Sequence, residues 1–255
     1  MKLNQAKIHF VGIGGVGMSG IAELFYAIGA KVTGSDIVEG ASVDHLRKLG
    51  IQVYVGHDAS YVRDIDVLVY SSAVNKANPE LTQAVSLGIP IIPRAEALAE
   101  FMRLKRGIAI AGSHGKTTTT SFTSHIFLHS GYKPTVVVGG RLRSINSGAH
   151  FGEGDWLIAE ADESDGSFSK LNPEIAVVTN IDNDHLDYYK NFDNLKEAFY
   201  QFALRVPFYG FVLYCGDAPY LKEIFSHFPK RAFSYGFQDG NHYQIRKSES
   251  RFELS

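Results

Sequence analysis

The chain has 255 residues, 45% apolar and 20% charged, and its 25 Lys and Arg against 27 Asp and Glu leave a formal charge of −2. That length supports two compact domains, and the balanced charge gives no reason to expect nucleic acid or an anionic membrane as partner. Apolar runs stay shorter than a membrane span, the start MKLNQAKIHFVGIGG enters a strand with no secretory leader, and the single Cys215 rules out an internal disulfide, which fits a reducing cytoplasm.

Strand and helix patterns alternate from the start. KIHFVGIG reads as a strand, MSGIAELFYAIG as a helix closed by Gly29, AKVTGSD as a second strand and VDHLRKLG as a helix. QVYVG, DVLVYSSAV and IPIIPR are further strands, with a helix at PELTQAVSLG, and EALAEFMRLKRG is a helix running into a basic linker. This alternation implies a mostly parallel sheet, and its restart at IAIAG places a domain boundary near residue 105. The second part reads as strand IAIAG, helix TTTSFTSHIFLHSG, and strands PTVVVGG, DWLIAEAD and EIAVVTNID. Helix NLKEAFYQFALRV, strand GFVLYCGD and helix APYLKEIFSHF follow, and RAFSYGF, YQIRKS and RFELS read as short antiparallel strands. Cys215, in VLYCGD, is expected buried in its strand, with no motif around it that would make it a nucleophile.

Two glycine-rich loops stand at strand–helix junctions. Gly12, Gly14 and Gly17 satisfy G-x-G-x-x-G, and Asp36 ends the next strand. Such glycines let backbone approach a pyrophosphate at a helix N-terminus, with the acid placed to accept from a ribose hydroxyl. The pattern leaves NAD and a nucleotide sugar both open. In GSHGKTT, Gly112-Ser113-His114-Gly115-Lys116-Thr117 is a shortened P-loop, with Ile110 where the full pattern has its first glycine. Its backbone N–H groups can wrap phosphates, Lys116 can reach the β- and γ-phosphates, and the Thr117 hydroxyl can ligate Mg²⁺. Two apolar strands then end in polar clusters: Glu160, Asp162, Glu163 and Asp165 in one, Asn180, Asp182, Asp184, His185 and Asp187 in the other. Carboxylates at strand ends beside a P-loop strand are where nucleotide enzymes hold Mg²⁺. Of the ten histidines only His185 and, in part, His114 escape the ordinary surface or satisfied role.

GIGGVGMSGIAE, GSHGKTTTTS, EADESDGSF and NIDNDHLD, in this order, resemble the Mur ligases of peptidoglycan synthesis, with RAEALAEFMR and the FYG at 208–210 adding to the likeness. The resemblance covers essentially the whole chain. It is similar to the murein peptide ligases in the first two motifs, and EADESD followed by SF and DHLD favours the branch that adds L-alanine to UDP-N-acetylmuramate.

The resemblance implies an α/β fold with a Rossmann-like UDP-sugar domain at 1–105 and a P-loop-type ATPase domain at 106–255. It also implies that the latter is incomplete and that the family's C-terminal amino-acid domain is missing, so that this chain alone does not complete ligation. Implied cofactors are ATP and Mg²⁺. The implied reaction is phosphorylation of the lactyl carboxylate, then attack of the alanine amine on the acyl phosphate. By family position Lys116, Glu160 and His185 are catalytic, and Thr117, Glu160 and His185 hold metal. Gly112, Ser113, His114, Gly115, Lys116, Thr117, Thr118 and Asn180 bind ATP, and Asp184 shapes that site. Gly14, Gly15, Val16, Gly17, Asp36, Ser71 and His114 bind the UDP-sugar. Tyr200 stands where some relatives carry a carbamylated lysine, so none is expected here. Two other readings remain: an NAD-dependent oxidoreductase, which leaves Lys116, Glu160 and His185 unexplained, and a non-catalytic UDP-sugar-binding fragment.

Overall fold

Runs such as IAIA are β-prone and apolar on both faces, as strands covered by helices on either side must be. The structure, a computed structural model, describes residues 3–142, 147–247 and 252–254. It divides into two units, Met1–Phe101 with Thr135–Glu153, and Met102–Pro134 with Gly154–Ser255. No helix among the described residues is long and apolar enough to cross a membrane.

The first unit opens with β1 (Lys7–Val11), α1 (Val16–Ala27), β2 (Lys31–Asp36), α2 (Ala41–Lys48) and β3 (Gln52–Val55). β4 (Val67–Tyr70), α3 (Pro79–Ser86), β5 (Ile91–Pro93) and α4 (Arg94–Met102) follow. The five strands form a parallel sheet in the order β3-β2-β1-β4-β5. The order reverses at β1, whose Ile8 pairs with Val32 on one side and Val67 on the other. A crevice therefore opens beyond the carboxyl ends of β1 and β4. Val11, Val62, Leu68, Leu81 and Ala84 pack one face, and Phe25 joins Phe10 to Phe101 through tilted and edge-on ring contacts.

The chain enters the second unit with β6 (Arg106–Ala111) and α5 (Lys116–His129). It returns to the first as the antiparallel pair β7 (Thr135–Leu142) and β8 (Ser147–His150). That pair, read from the sequence as part of the second domain, packs on α1, where Ala149 lies against Gly20 closely enough that a Cβ on Gly20 would meet its methyl at 2.9 Å.

The remaining elements belong to the second unit: β9 (Trp156–Glu160), β10 (Ile175–Val178), α6 (Leu186–Tyr189), α7 (Phe192–Ala203), β11 (Phe211–Cys215), α8 (Pro219–Phe225), β12 (Ala232–Gly236), β13 (Tyr243–Lys247) and β14 (Phe252–Leu254). Its strands lie in the order β14-β13-β12-β11-β10-β6-β9. β6 sits between β10 and β9, parallel to both, so the loop after it opens at a second reversal of strand order. Ile108, Ile110, Ile158 and Val177 form the core of this sheet, and Phe168 stacks on Phe202 and meets Phe199 edge-on from α7.

The terminal strands are not all antiparallel: β12 runs parallel to β11 and to β13, and only β13 and β14 are antiparallel. Asp217 accepts from the N–H groups of Phe237 and Gln238 and from Asn241 Nδ2, folding 237–242 into a loop. β13 then overlaps β12 by two residue pairs, so the chain continues in the same direction rather than reversing. Cys215 ends β11, half-buried rather than buried.

Candidate functional site

The loop after β1 is held by backbone and by one carboxylate. Gly12 N and Ile13 N donate to Ser35 O at 2.8 and 3.0 Å. Asp36 Oδ2 accepts from Gly14 N at 2.7 Å, and its Oδ1 accepts from Val38 N at 3.1 Å. Asp36 thus shapes the loop. Gly14 is needed for this close approach, since a Cβ there would lie 2.9 Å from Asp36 Oδ2 and 3.0 Å from Val43 Cγ2.

Gly12, Gly14, Gly15, Asp36 and Ser71 line a cleft of about 800 Å³ that also takes in His57 and Asn78. Ser71 packs on Gly12, and its Oγ accepts weakly from Ala73 N at 3.4 Å. Gly17 lies in the first turn of α1 beneath Arg94, whose Nη1 a Cβ would meet at 2.7 Å. Val16 begins α1, and its side chain lies outside the described residues. The helix N-terminus and a volume suited to a small ligand give this cleft the chemistry to hold an anion.

Beneath it lies a network that the sequence did not announce. Glu80, fully buried, accepts from His9 Nε2 at 2.6 Å, Ser35 Oγ at 2.7 Å and His57 Nδ1 at 2.7 Å. His9 Nδ1 lies 2.8 Å from Thr33 Oγ1. Glu80 sits in the first turn of α3, capped by Asn78, where a sequence reading sees only an acid complementing the helix dipole.

In the second unit Gly112 takes φ +146°, and a Cβ there would fall 2.0 Å from Thr179 Oγ1. Gly115 caps α5 in the left-handed conformation. The loop is tied to the end of β10: Asn180 Oδ1 accepts from His114 N and its Nδ2 donates to His114 O, at 2.8 and 2.9 Å. Ser113 Oγ accepts from Asp182 N at 2.9 Å. Lys116 Nζ donates to Gly112 O at 2.7 Å and to Glu163 Oε1 at 2.8 Å. Thr117 Oγ1 reaches both Glu160 oxygens at 3.0 and 3.1 Å. Thr118 is exposed on the first turn of α5.

His185 adopts a left-handed backbone (φ 55°, ψ 32°) unusual for its type. Its Nε2 is 3.6 Å from Glu163 Oε1 and 3.8 Å from Asp184 Oδ2. His114 turns instead to Asp182, at 3.2 Å. The Asn183 N–H and His114 hold the Asp182 carboxyl below its usual range. The predicted residues therefore gather as two pairs, Lys116 and His185 around Glu163, and Thr117 on Glu160. Glu163, one of the noted acids but not assigned a role, is the fully buried centre of the first pair. Tyr189 Oη donates to its backbone carbonyl at 2.5 Å, and burial, with Tyr188 and the neighbouring carboxylates, pushes the phenol far up, keeping it a neutral donor.

No group of three or more His, Cys, Asp or Glu forms a ready cation cage among the described residues. Mg²⁺ commonly takes one or two protein oxygens and completes its shell with phosphate and water. The Thr117 hydroxyl beside Glu160 is such a hard-oxygen set, and Glu163 Oε2 is buried without a hydrogen-bond partner, although Lys116 Nζ lies 2.8 Å away. A triphosphate brought to a loop flanked by these carboxylates needs added positive charge.

The Mur ligase family catalytic-domain model matches residues 7–106, and the Mur ligase middle-domain model matches residues 110–255. The chain is 57% identical to the UDP-N-acetylmuramate–L-alanine ligase of Bdellovibrio bacteriovorus over 98% of its own length and 57% of the relative's. It is similar to the crystal structure of UDP-N-acetylmuramate-alanine ligase MurC from Thermotoga maritima, at TM-score 0.80 and 32% identity over 95% of this chain and 55% of that one. The Neisseria meningitides UDP-N-acetylmuramate:L-alanyl-gamma-D-glutamyl-meso-diaminopimelate ligase matches in fold at TM-score 0.87 and 24% identity, over 98% of this chain and 84% of that one. The chain spans about half the length of the curated relatives it matches.

Proposed function

The chain belongs to the Mur ligase family, and we propose that it carries the nucleotide-holding part of an ATP-dependent ligase joining L-alanine to the lactyl carboxylate of UDP-N-acetylmuramate. Membership implies ATP use, and 57% identity to a UDP-N-acetylmuramate–L-alanine ligase supports that branch. The observation that carries the reading is the pair of glycine-rich loops, each opening at a reversal of strand order, with Lys116 at the second.

The first unit takes the UDP-sugar, its diphosphate against Gly14, Gly15 and Gly17 at the head of α1. The second takes ATP. Lys116 exchanges Gly112 O and Glu163 for phosphate oxygens, and the loop N–H groups stabilise charge on the transferring group. A lactyl carboxylate oxygen bonds to the γ-phosphorus and ADP leaves. The alanine amine then bonds to the carbonyl carbon, loses a proton, and inorganic phosphate leaves. Thr117, Glu160 and His185 would hold Mg²⁺, which supplies charge neutralisation when bound. Asn180 keeps His114 and the loop in place throughout.

The NAD-dependent alternative uses only the first loop and gives no work to Lys116, Glu163 or His185. Titration of the chain with ATP and Mg²⁺ tests the proposal: binding that Lys116→Ala weakens at least about ten-fold supports it, and saturable NADH binding at the first cleft contradicts it.

A further inference from the structure

We propose that His57 recognises the nucleoside half of the ligand in the first cleft, its ring held by buried Glu80 so that Nε2 presents a lone pair to a base N–H or a sugar O–H. The inference rests on reading that cleft as a nucleoside-diphosphate site.

Glu80 gathers three donors: His9 Nε2 on one oxygen, Ser35 Oγ and His57 Nδ1 on the other. Burial pushes its carboxyl up, but the hydrogen bonds from His9, Ser35 and His57 outweigh burial and hold it below its ordinary value. It is ionised at neutral pH, and a carboxylate only accepts. The proton on His57 therefore sits on Nδ1, shared between Glu80 Oε1 at 2.7 Å and Ser35 Oγ at 3.0 Å. Neutral imidazole with its proton on Nδ1 has an acceptor at Nε2.

His9 and Glu80 are wholly buried, whereas the His57 side chain retains 18% exposure and lines the cleft with Gly14, Asp36 and Asn78. His9 has both ring nitrogens engaged within the protein. His57 is engaged at Nδ1 alone, which leaves Nε2 for the ligand. A lone pair repels phosphate oxygens and selects a hydrogen-bond donor, which in a nucleoside diphosphate is the base or the sugar. Glu80 acts through His57 and is a positioning residue. It also links β1, β2 and α3 beneath the cleft, so the ring direction is fixed by the fold rather than by the ligand.

The test uses the 255-residue chain with UDP and inorganic pyrophosphate as separate probes. His57→Ala should raise the Kd for UDP about ten-fold, the worth of one hydrogen bond, and leave the Kd for pyrophosphate unchanged. Ring-¹⁵N spectra, assigned by loss of one signal in His57→Ala, should show His57 neutral and protonated at Nδ1 at pH 7.5. Glu80→Gln, whose amide can donate to Nδ1, should populate the Nε2-protonated form.

Equal loss for both probes, no loss for UDP, or a ring protonated at Nε2 in the unaltered chain would overturn the proposal. If the unaltered chain binds neither probe, the reading of the cleft falls and this proposal with it. If it binds UDP and His57→Ala binds UDP equally, only the role of His57 falls.

Discussion

Lys116 Nζ lies 2.8 Å from each oxygen of Glu163, a carboxylate with no solvent exposure. Removing the cation leaves a buried negative charge uncompensated. Lys116→Met should therefore destabilise the second unit by about 3 kcal/mol, and adding Glu163→Gln should recover most of that loss. Urea unfolding followed by Trp156 fluorescence reads this unit directly, because Trp156, in β9, is the chain's one tryptophan. Additive losses in the double variant would mean that the pair is not coupled.

Thr117 Oγ1 rests on Glu160, so the two should act together on the cation that accompanies ATP. Thr117→Ala and Glu160→Gln should each raise the Mg²⁺ concentration needed for ATP binding about ten-fold or more. Chelation with EDTA should weaken ATP binding in the unaltered chain and change it little in either variant. Calorimetry at fixed ATP and stepped Mg²⁺ checks this.

Glu80 predicts a dependence on pH. Burial raises its carboxyl pKa, hydrogen bonds from His9, Ser35 and His57 together lower it by more, and the result lies below the ordinary 4.5. A group depressed in the folded state stabilises the fold above its unfolded pKa and loses that contribution as pH falls through the folded one. The first unit should weaken below pH 4.5. Glu80→Gln should be less stable at pH 7 and show a flatter acid limb, read by amide hydrogen exchange in β1.

Much of this was legible in the sequence because it is local. The glycine loops, their flanking strands and the carboxylates ending β9 and β10 follow from periodicity and turn chemistry within short windows. The missing parts are long-range. His9, Ser35, His57 and Glu80 lie far apart in the chain and meet only when β1, β2 and α3 pack, so each looks ordinary alone. The segment Thr135–His150 reads from the sequence as part of the second domain, with one strand at PTVVVGG, until Ala149 is found against Gly20 of α1. β12 and β13 read as antiparallel because a short connection usually reverses the chain, and the Asp217 loop prevents that.

Gly14→Ala tests the first loop. Its new Cβ would crowd Asp36 Oδ2 at 2.9 Å and Val43 Cγ2 at 3.0 Å, at a cost of about 1–3 kcal/mol. Nucleotide-sugar affinity should fall at least about ten-fold as the Gly14 N–Asp36 bond is displaced. Gly17→Ala meets Arg94 Nη1, the end of a long side chain, and should be tolerated better in folding.

The most direct test of two separate cradles is calorimetric titration of the chain with UDP-N-acetylmuramate, repeated on Gly14→Ala and on Lys116→Ala. Saturable binding near one site per chain, lost in the first variant and retained in the second, is the expected result. No binding by a folded chain, or binding that Gly14→Ala leaves unchanged, would contradict the assignment of the first cleft.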